Sequence, residues 1–175
     1  MSRSLTLILL TLLLSLPMTA SARTPIYDVE VLLFTQPVTS AEQWPAYPGM
    51  PDMSKAGPMM RKGVTQGKTN RLAGIKKRLA AAPGYRPISH LRWRQSLRNN
   101  VVGKPFKVEV SDGDSRITGT ISLGRSIFAK IKVDLLLQEG GRSYRMKGSR
   151  RMRRNEVHYL DHPKLGVITT ITKIQ

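Results

Sequence analysis

The sequence contains no cysteine among its 175 residues. This absence excludes disulfide bonds, cysteine-ligated zinc and thiol nucleophiles. Acidic residues are also scarce, since 11 Asp and Glu stand against 29 Lys and Arg, which gives a formal net charge of +18. Between Met53 and Val108 there is no acidic residue, but there are 14 Lys and Arg. A chain with this balance favours polyanionic partners.

Long hydrophobic runs are missing as well, apart from one near the N-terminus. Leu5–Leu16 is apolar, follows Arg3 and ends before Pro17, and Ala20–Ala22 supplies a small-x-small cleavage site. This order is typical of a secretory signal peptide, which we place at residues 1–22. A run of about twelve residues is shorter than the roughly twenty that span a bilayer, so we do not expect it to be a transmembrane anchor. No second apolar run follows, so we expect no membrane span in the rest of the chain.

The partners that the positive charge indicates depend on whether the protein is exported. In a cytosolic protein such a charge would indicate nucleic acid as the partner, but an exported protein seldom meets nucleic acid. The polyanions that it does meet are the stem-peptide carboxylates of peptidoglycan and the headgroups of anionic lipids or lipopolysaccharide. The alternative is that the high charge serves only solubility.

Alternation of apolar and polar residues with period two predicts that most of the chain forms β-strands. In Tyr27–Phe34 the apolar side chains alternate with Asp28 and Glu30, so we expect a half-buried strand with these two carboxylates on its polar face. At the far end of the strand, Leu32 and Phe34 make this face apolar too, so we expect that end to be covered on both sides. Comparable alternation predicts strands within the segments 85–99, 106–110, 117–123, 127–137, 144–152 and 165–174.

One segment has the spacing of a helix, and one has no periodicity. Apolar residues recur at helical spacing within Thr69–Ala82, with Thr69 as the expected N-cap and Pro83 after the last turn. Residues 36–68 are rich in Pro and Met and are expected to form a long irregular loop. The predicted fold class is therefore α+β, an antiparallel β-sheet meander with one main helix, in a single domain of residues 23–175.

The most distinctive stretch is 149–166, SRRMRRNEVHYLDHPKLG. It holds four arginines in five residues, followed by a polar cluster. The candidate ligand-binding residues in it are Arg150, Arg151, Arg153, Arg154, His158, Tyr159, Asp161 and His162. On a strand, Arg151 and Arg153 would share one face while Arg150 and Arg154 share the other, so we do not expect all four to reach one ligand.

Three chemistries compete for this stretch. A metal site could use His158 and His162 with a neighbouring carboxylate, but Pro163 argues against the helix that would bring the two rings together. General acid–base catalysis could use Glu156, His158 and Asp161, but no nucleophile or second paired carboxylate accompanies them. We favour recognition, in which the arginines offer forked donors to carboxylates and the later residues shape the adjoining turn.

A weaker candidate is the segment GYRPISHLRWRQ, in which Arg92 and Arg94 flank Trp93. As a strand, it would turn Leu91 and Trp93 inward and both arginines outward. Arginines beside a tryptophan can bind a sugar or a peptide, whereas a tryptophan on the inner face belongs to the core.

Four segments together resemble the CsiV family of periplasmic peptidoglycan-binding proteins of gamma-proteobacteria. They are YDVEVLLF, GYRPISHLRWRQ, ITGTISLGRSIFAKIKVDLLL and SRRMRRNEVHYLDHPKLGVITTIT. The last segment is similar to the C-terminal signature of the family, an Arg-Arg-Met-Arg run followed by Glu-x-His-Tyr-Leu-Asp-His-Pro. The resemblance covers most of the chain after residue 22, but not residues 36–68.

The resemblance implies a non-catalytic periplasmic protein that binds peptidoglycan and supports cell-wall synthesis and cell shape. It also implies that the protein acts together with a class A penicillin-binding protein and with the outer-membrane lipoprotein that activates this enzyme. No cofactor or metal is expected. Two alternatives stay open, a scaffold that binds an acidic protein partner with only non-specific affinity for the wall, and a wall hydrolase that depends on Glu156.

Overall fold

The computed structural model describes residues 24–38 and 48–174. The predicted signal peptide, residues 1–22, lies outside the described residues, as does part of the predicted loop, residues 39–47. The described residues form nine strands and one helix, whose bounds are β1 (Ile26–Thr35), β2 (Val64–Gln66), α1 (Ala73–Ala81), β3 (Arg86–Ser96), β4 (Phe106–Asp112), β5 (Ser115–Arg125), β6 (Ala129–Glu139), β7 (Arg142–Met152), β8 (Val157–Leu160) and β9 (Leu165–Lys173).

The strands form two antiparallel sheets. One has four strands in the order β4-β5-β6-β7, so it is the meander that the alternation predicts. The other has five strands in the order β2-β3-β1-β9-β8, in which β9 returns to pair with β1 from Thr35↔Leu165 to Tyr27↔Lys173. The α+β class is thereby confirmed, while the division into two sheets was not predicted.

The two sheets share one hydrophobic core. Alternate residues from each strand point into it, among them Val29 and Val31 of β1, and Ile131, Val133 and Leu135 of β6. The rings of Trp93 in β3 and Phe106 in β4 meet edge to face across the sheets, with centroids 4.9 Å apart. Because each fully buried aliphatic or aromatic side chain contributes about 1.5–3 kcal/mol, this core is the main force that holds the sheets together.

Strand β1 is buried on both faces, so the expected polar face at Asp28 and Glu30 is wrong. Both carboxylates are almost completely inaccessible to solvent. Asp28 accepts two hydrogen bonds from the Arg94 guanidinium, at 2.6 and 2.9 Å, and one each from the backbone N–H groups of Lys68 and Thr69, at 3.1 Å. A buried charge persists here because it is paired and hydrogen-bonded.

Glu30 organises the start of the helix in the same way. Its carboxylate accepts hydrogen bonds from the backbone N–H groups of Arg71, at 2.8 Å, and Leu72, at 3.2 Å, and lies 2.9 Å from His90 Nε2. The donors before α1 are therefore satisfied by side chains of a distant strand, and Leu72 is buried.

Helix α1 is shorter than predicted, since it begins at Ala73 rather than at Thr69. Thr69 does not cap it, because the N–H groups of Lys68 and Thr69 are held by Asp28 in a non-helical conformation. The helix ends at Ala81, before Pro83, as predicted. Within the described ranges, no helix is long and apolar enough to cross a membrane.

Segment 48–68 is more regular than the predicted loop. Gly57 forms a parallel bridge with Phe106 at the edge of the four-stranded sheet, and β2 pairs with β3 at the edge of the other. This segment therefore follows the edges of both sheets. Met59 packs against the core, whereas Met50 and Met60 are exposed.

Two of the turns between the later strands lie at glycines, whereas Gly124, where a turn would also be expected, lies inside β5. Gly113 has a φ of +57° between β4 and β5, and Gly140 and Gly141 have φ values of +56° and +72° between β6 and β7. One strand boundary is wrong, because β6 begins at Ala129, and Ile127 lies in an exposed loop rather than on the inner face.

Candidate ligand-binding site

The arginines of the distinctive stretch lie where the chain passes from one sheet to the other. Strand β7 ends at Met152 in the four-stranded sheet, and β8 begins at Val157 in the five-stranded sheet. Residues 153–156 therefore form a link between the two sheets. Met152 is buried, and Arg150, Arg151, Arg153 and Arg154 are exposed.

Several backbone contacts fix the conformation of this link. The N–H of Arg153 donates to Nε2 of the buried His158 at 2.9 Å. Asn155 has a φ of +62°, a left-handed conformation that asparagine tolerates better than most residues, and its N–H donates to the Ile171 carbonyl at 2.8 Å. Arg71 Nη2 donates to the Asn155 carbonyl at 3.2 Å. His158 thus positions the arginines from below the surface.

A groove of about 670 Å³ opens beside the link. Its other walls are the loop joining β5 to β6 and the paired ends of β1 and β9. We call it the basic groove, because five of its lining residues are cationic, namely Arg125, Arg151, Arg153, Arg154 and Lys173. Its apolar lining includes Tyr27, Ile127, Phe128 and Met152.

The four arginines do not group as the alternation of a strand predicts. Arg151, Arg153 and Arg154 all line the basic groove, whereas Arg150 does not. The expected grouping of Arg154 with Arg150 is wrong, because the chain leaves the β-conformation at Arg153 and the period of two no longer applies. Three guanidinium groups can therefore approach one ligand.

The charged side chains that line the basic groove are all cationic. In the described part of the chain, no acidic side chain lines it. Glu156 lies 3.8 Å from Arg153, but both side chains are more than half exposed, so this ion pair contributes little. The Arg151 guanidinium carbon lies 2.9 Å from the centroid of the Phe128 ring. Such stacking holds a cation beside an apolar surface.

This arrangement suits a ligand that carries carboxylates on a partly apolar framework. Planar guanidinium groups bind carboxylates through two parallel hydrogen bonds. Ile127 and Phe128 are exposed and can pack against methyl groups or a sugar ring. Stem peptides attached to a glycan chain combine these features.

The second half of the stretch forms a separate network at the far end of β8. The Tyr159 hydroxyl lies 2.6 Å from Asp161 Oδ1 and 2.9 Å from Gln36 Oε1. Gln36 Nε2 donates to Asp161 Oδ1 at 3.0 Å and to the His162 carbonyl at 2.8 Å. The Tyr159 ring stacks on Phe34, with centroids 6.2 Å apart. Because these contacts join β1 to the turn before β9, their direct role is structural.

The protonation states in this network agree with that role. The hydrogen bond from Tyr159, together with one from Gln36, holds the pKa of Asp161 below its usual value. Burial raises the pKa of Tyr159 far above its usual value, and the Asp161 charge adds to this effect. Burial lowers the pKa of His162 against the influence of the same charge. None of the three lines the basic groove.

Trp93, Arg92 and Arg94 lie away from the basic groove. Trp93 is completely buried in the core, as its inward position on the strand predicts, so its ring has no face free for a ligand. Arg94 is held by Asp28. Arg92 is half-buried and lines a second groove of about 510 Å³ between α1 and β3, together with Lys76 and Lys77.

Among the cationic and exposed apolar residues that line the basic groove, four were missed in the sequence, namely Arg125, Ile127, Phe128 and Lys173. The alternation of β6 placed Ile127 in the core. A signal was present, because Phe128 is apolar at a position where the alternation requires a polar residue, and the Ile127–Phe128 pair follows the turn-favouring residues Gly124 and Ser126. Lys173 had no local signal, since it reaches the groove only because β9 pairs with β1.

The side chains considered for a metal site and for acid–base catalysis are bonded to separate partners. His158 is bonded to the backbone of Arg153, and Asp161 is bonded to Tyr159. Glu156 is exposed beside Arg153. Among the described residues, no group of three His, Asp or Glu side chains could hold a metal ion.

The model of one protein family, described as "Peptidoglycan-binding protein, CsiV", matches residues 4–174. The match includes β1, the arginine link and the strands on both sides of the basic groove. Neither the curated proteins nor the solved structures contain a significant match.

Proposed function

The chain belongs to the CsiV family of peptidoglycan-binding proteins, and from this premise we propose that it binds peptidoglycan in the basic groove, without chemistry of its own. The observation that carries the proposal is the convergence of Arg151, Arg153 and Arg154 on one groove with an exposed apolar wall and no acidic lining residue. The guanidinium groups would bind stem-peptide carboxylates, and Phe128 would pack against the adjoining methyl groups or sugar.

The wider role that we propose follows the resemblance of the sequence. The protein would act in the periplasm and support or regulate cell-wall synthesis by a class A penicillin-binding protein, together with an outer-membrane lipoprotein activator. The family supports a location in the cell envelope, where peptidoglycan is found.

The proposal can be tested by sedimentation with purified sacculi at low and at physiological salt. The sample is the chain of residues 23–175, which retains every described strand and the helix. We expect Arg151→Ala/Arg153→Ala to weaken binding by about tenfold for each guanidinium, since charged hydrogen bonds are lost.

The matched control is Lys76→Ala/Lys77→Ala, which removes the same charge from exposed positions of α1. It should bind sacculi like the unchanged protein at physiological salt. If both double variants lose binding equally, the basic groove is not the binding site and the attraction is only electrostatic.

A second candidate function is a scaffold that binds an acidic protein. The groove between α1 and β3 supports it, because Lys76, Lys77 and Arg92 line a cationic surface away from the basic groove. Competition separates the two functions. Isolated muropeptides should displace a specific peptidoglycan binder from sacculi, whereas unrelated polyanions should displace a charged scaffold equally well.

A further inference from the structure

Two loops that are hydrogen-bonded to each other expose four apolar side chains, and two of these, Ile127 and Phe128, also line the basic groove. Val102, in the loop between β3 and β4, is 80% exposed, and Ile127, in the loop between β5 and β6, is 79% exposed. Val101 and Phe128 beside them are about half exposed, at 48% and 44%. We call these four residues the apolar tip. Large apolar side chains that gather on a surface usually mark a contact.

The backbone holds the two loops of the apolar tip together. Val101 and Arg125 exchange two backbone hydrogen bonds, at 2.9 and 3.0 Å. Gly103 lies so close to the Leu123 carbonyl that a Cβ on it would collide with the β5 backbone, and Gly124 is equally crowded against Gly103. The two glycines therefore allow the β3–β4 loop to pack closely against the backbone of β5. This packing and the two hydrogen bonds fix the position of the tip.

Cationic side chains lie beside Val101 and Val102, the half of the apolar tip that belongs to the β3–β4 loop. Lys130 and Lys132 of β6 line a depression of about 260 Å³ together with Val101 and Val102. Arg125 lines both this depression and the basic groove. In the described residues, no carboxylate lines the depression. Each half of the tip thus exposes apolar side chains beside cations, Val101 and Val102 in the depression, and Ile127 and Phe128 in the basic groove.

We propose that the apolar tip docks on an anionic phospholipid bilayer. Aliphatic side chains on loop ends can insert between headgroups, while lysine and arginine at the same level contact the phosphates. Charge complementarity favours this occupant over an apolar surface of a protein, which would leave Lys130 and Lys132 without partners. The proposal goes beyond peptidoglycan binding, because it assigns a membrane surface as a second ligand.

The test uses vesicles and the chain of residues 23–175, because the apolar run Leu5–Leu16 would itself bind lipid. Vesicles contain either phosphatidylcholine alone or phosphatidylcholine with about 30% phosphatidylglycerol, and bound protein is measured by co-sedimentation at physiological salt. Binding to the anionic vesicles and none to the neutral ones is expected. Equal binding to both, or to neither, would overturn the proposal.

Variants separate insertion from charge. Val102→Ser/Ile127→Ser is expected to weaken vesicle binding by roughly fivefold to tenfold per side chain. Lys130→Ala/Lys132→Ala should weaken it by about fivefold per lysine. The matched controls are Val157→Ser, at a half-exposed position on β8, and Lys55→Ala/Lys62→Ala, at exposed positions that line none of the grooves described above. Both should bind like the unchanged protein. If all cationic variants weaken binding alike and the apolar ones do not, the contact is only electrostatic and no tip inserts.

The absence of cysteine permits a second measurement. An environment-sensitive fluorophore attached to Val102→Cys should shift to shorter wavelength when anionic vesicles are added, whereas the same fluorophore on Val157→Cys should not. Sacculus binding distinguishes the two proposals, because Val102 lies outside the basic groove. Val102→Ser should still bind sacculi. Arg153→Ala/Arg154→Ala, which removes two cations of the basic groove and leaves the Arg151–Phe128 contact in place, should still show the tip inserted in vesicles.

Discussion

The buried carboxylate of Asp28 joins three separate parts of the chain. It lies on the central strand β1 and binds Arg94 of β3 as well as the backbone of Lys68 and Thr69 ahead of α1. Burial alone would raise its pKa, but these hydrogen bonds outweigh burial and hold the pKa of Asp28 below its usual value of 3.8. The ionised form is therefore stabilised by the fold.

Replacing Asp28 with Asn is expected to lower the free energy of unfolding by about 3 kcal/mol at neutral pH, since a buried ion pair loses one partner. The variant keeps the shape of the side chain but leaves the Arg94 guanidinium, whose side chain is 26% exposed, without its anion. Denaturant unfolding measures the difference. The control Asp112→Asn removes a carboxylate that is half exposed and 3.7 Å from Arg86, and it should cost less than about 1 kcal/mol.

The effect of Asp28 should depend on pH in a defined direction. Because its pKa is lowered in the folded state, its stabilisation is fully present above pH 3.8 and is lost as the pH falls through the folded pKa. The stability difference between the unchanged protein and Asp28→Asn should therefore narrow in acid. A difference that stays constant down to pH 2 would show that the ionised carboxylate is not what stabilises the fold.

At the scale of a strand, β9 depends on one residue without a side chain. Gly166 pairs with Phe34 of β1, and the Phe34 ring lies directly over it. A Cβ at position 166 would overlap three carbon atoms of this ring. The same ring stacks on Tyr159, so the packing of β1, β8 and β9 at this end depends on Gly166.

Gly166→Ala is accordingly expected to destabilise the protein by about 1–3 kcal/mol, because overpacking forces a buried ring to move. Thermal or denaturant unfolding checks this value. The matched control is Gly148→Ala in β7, where a new Cβ would lie 3.5 Å from Leu160 Cδ2, at ordinary contact distance. If the two variants have equal stability, the packing of Phe34 on Gly166 does not limit the fold.

Local alternation explains which elements could be predicted. Strands β4 to β7 follow one another with short turns, so each pairs with its neighbour in sequence and local patterns suffice. Strand β1 was predicted, but the burial of its acidic face was not. That burial depends on Arg94, His90 and backbone donors about 40 residues or more away in sequence. An isolated acidic residue in a strand does not reveal whether it faces water or a buried cation.

At the scale of the whole molecule, the candidate site depends on which sheets meet. The arginines after β7 stand out in the sequence, and three of them do line one groove. Arg125 and Lys173 could not be assigned to it, because they join the groove only through pairing of β9 with β1 and through the position of the β5–β6 loop. The composition of a site that several strands build is determined by long-range pairing.

The net charge of +18 should govern how the stability of the whole molecule responds to salt. With 29 cationic residues against 11 acidic ones, most cations lack an acidic partner, and their mutual repulsion opposes folding. Raising NaCl from about 0.01 to about 0.1 M shortens the Debye length from about 30 to about 10 Å, so the free energy of unfolding should increase. Denaturant unfolding at each NaCl concentration measures this free energy.

A variant with lower net charge provides the control. In Lys107→Glu/Lys130→Glu, which exchanges two exposed cations for anions, the increase in the free energy of unfolding with NaCl should be smaller. Stability that falls with added NaCl would instead mean that attraction between paired charges outweighs the repulsion.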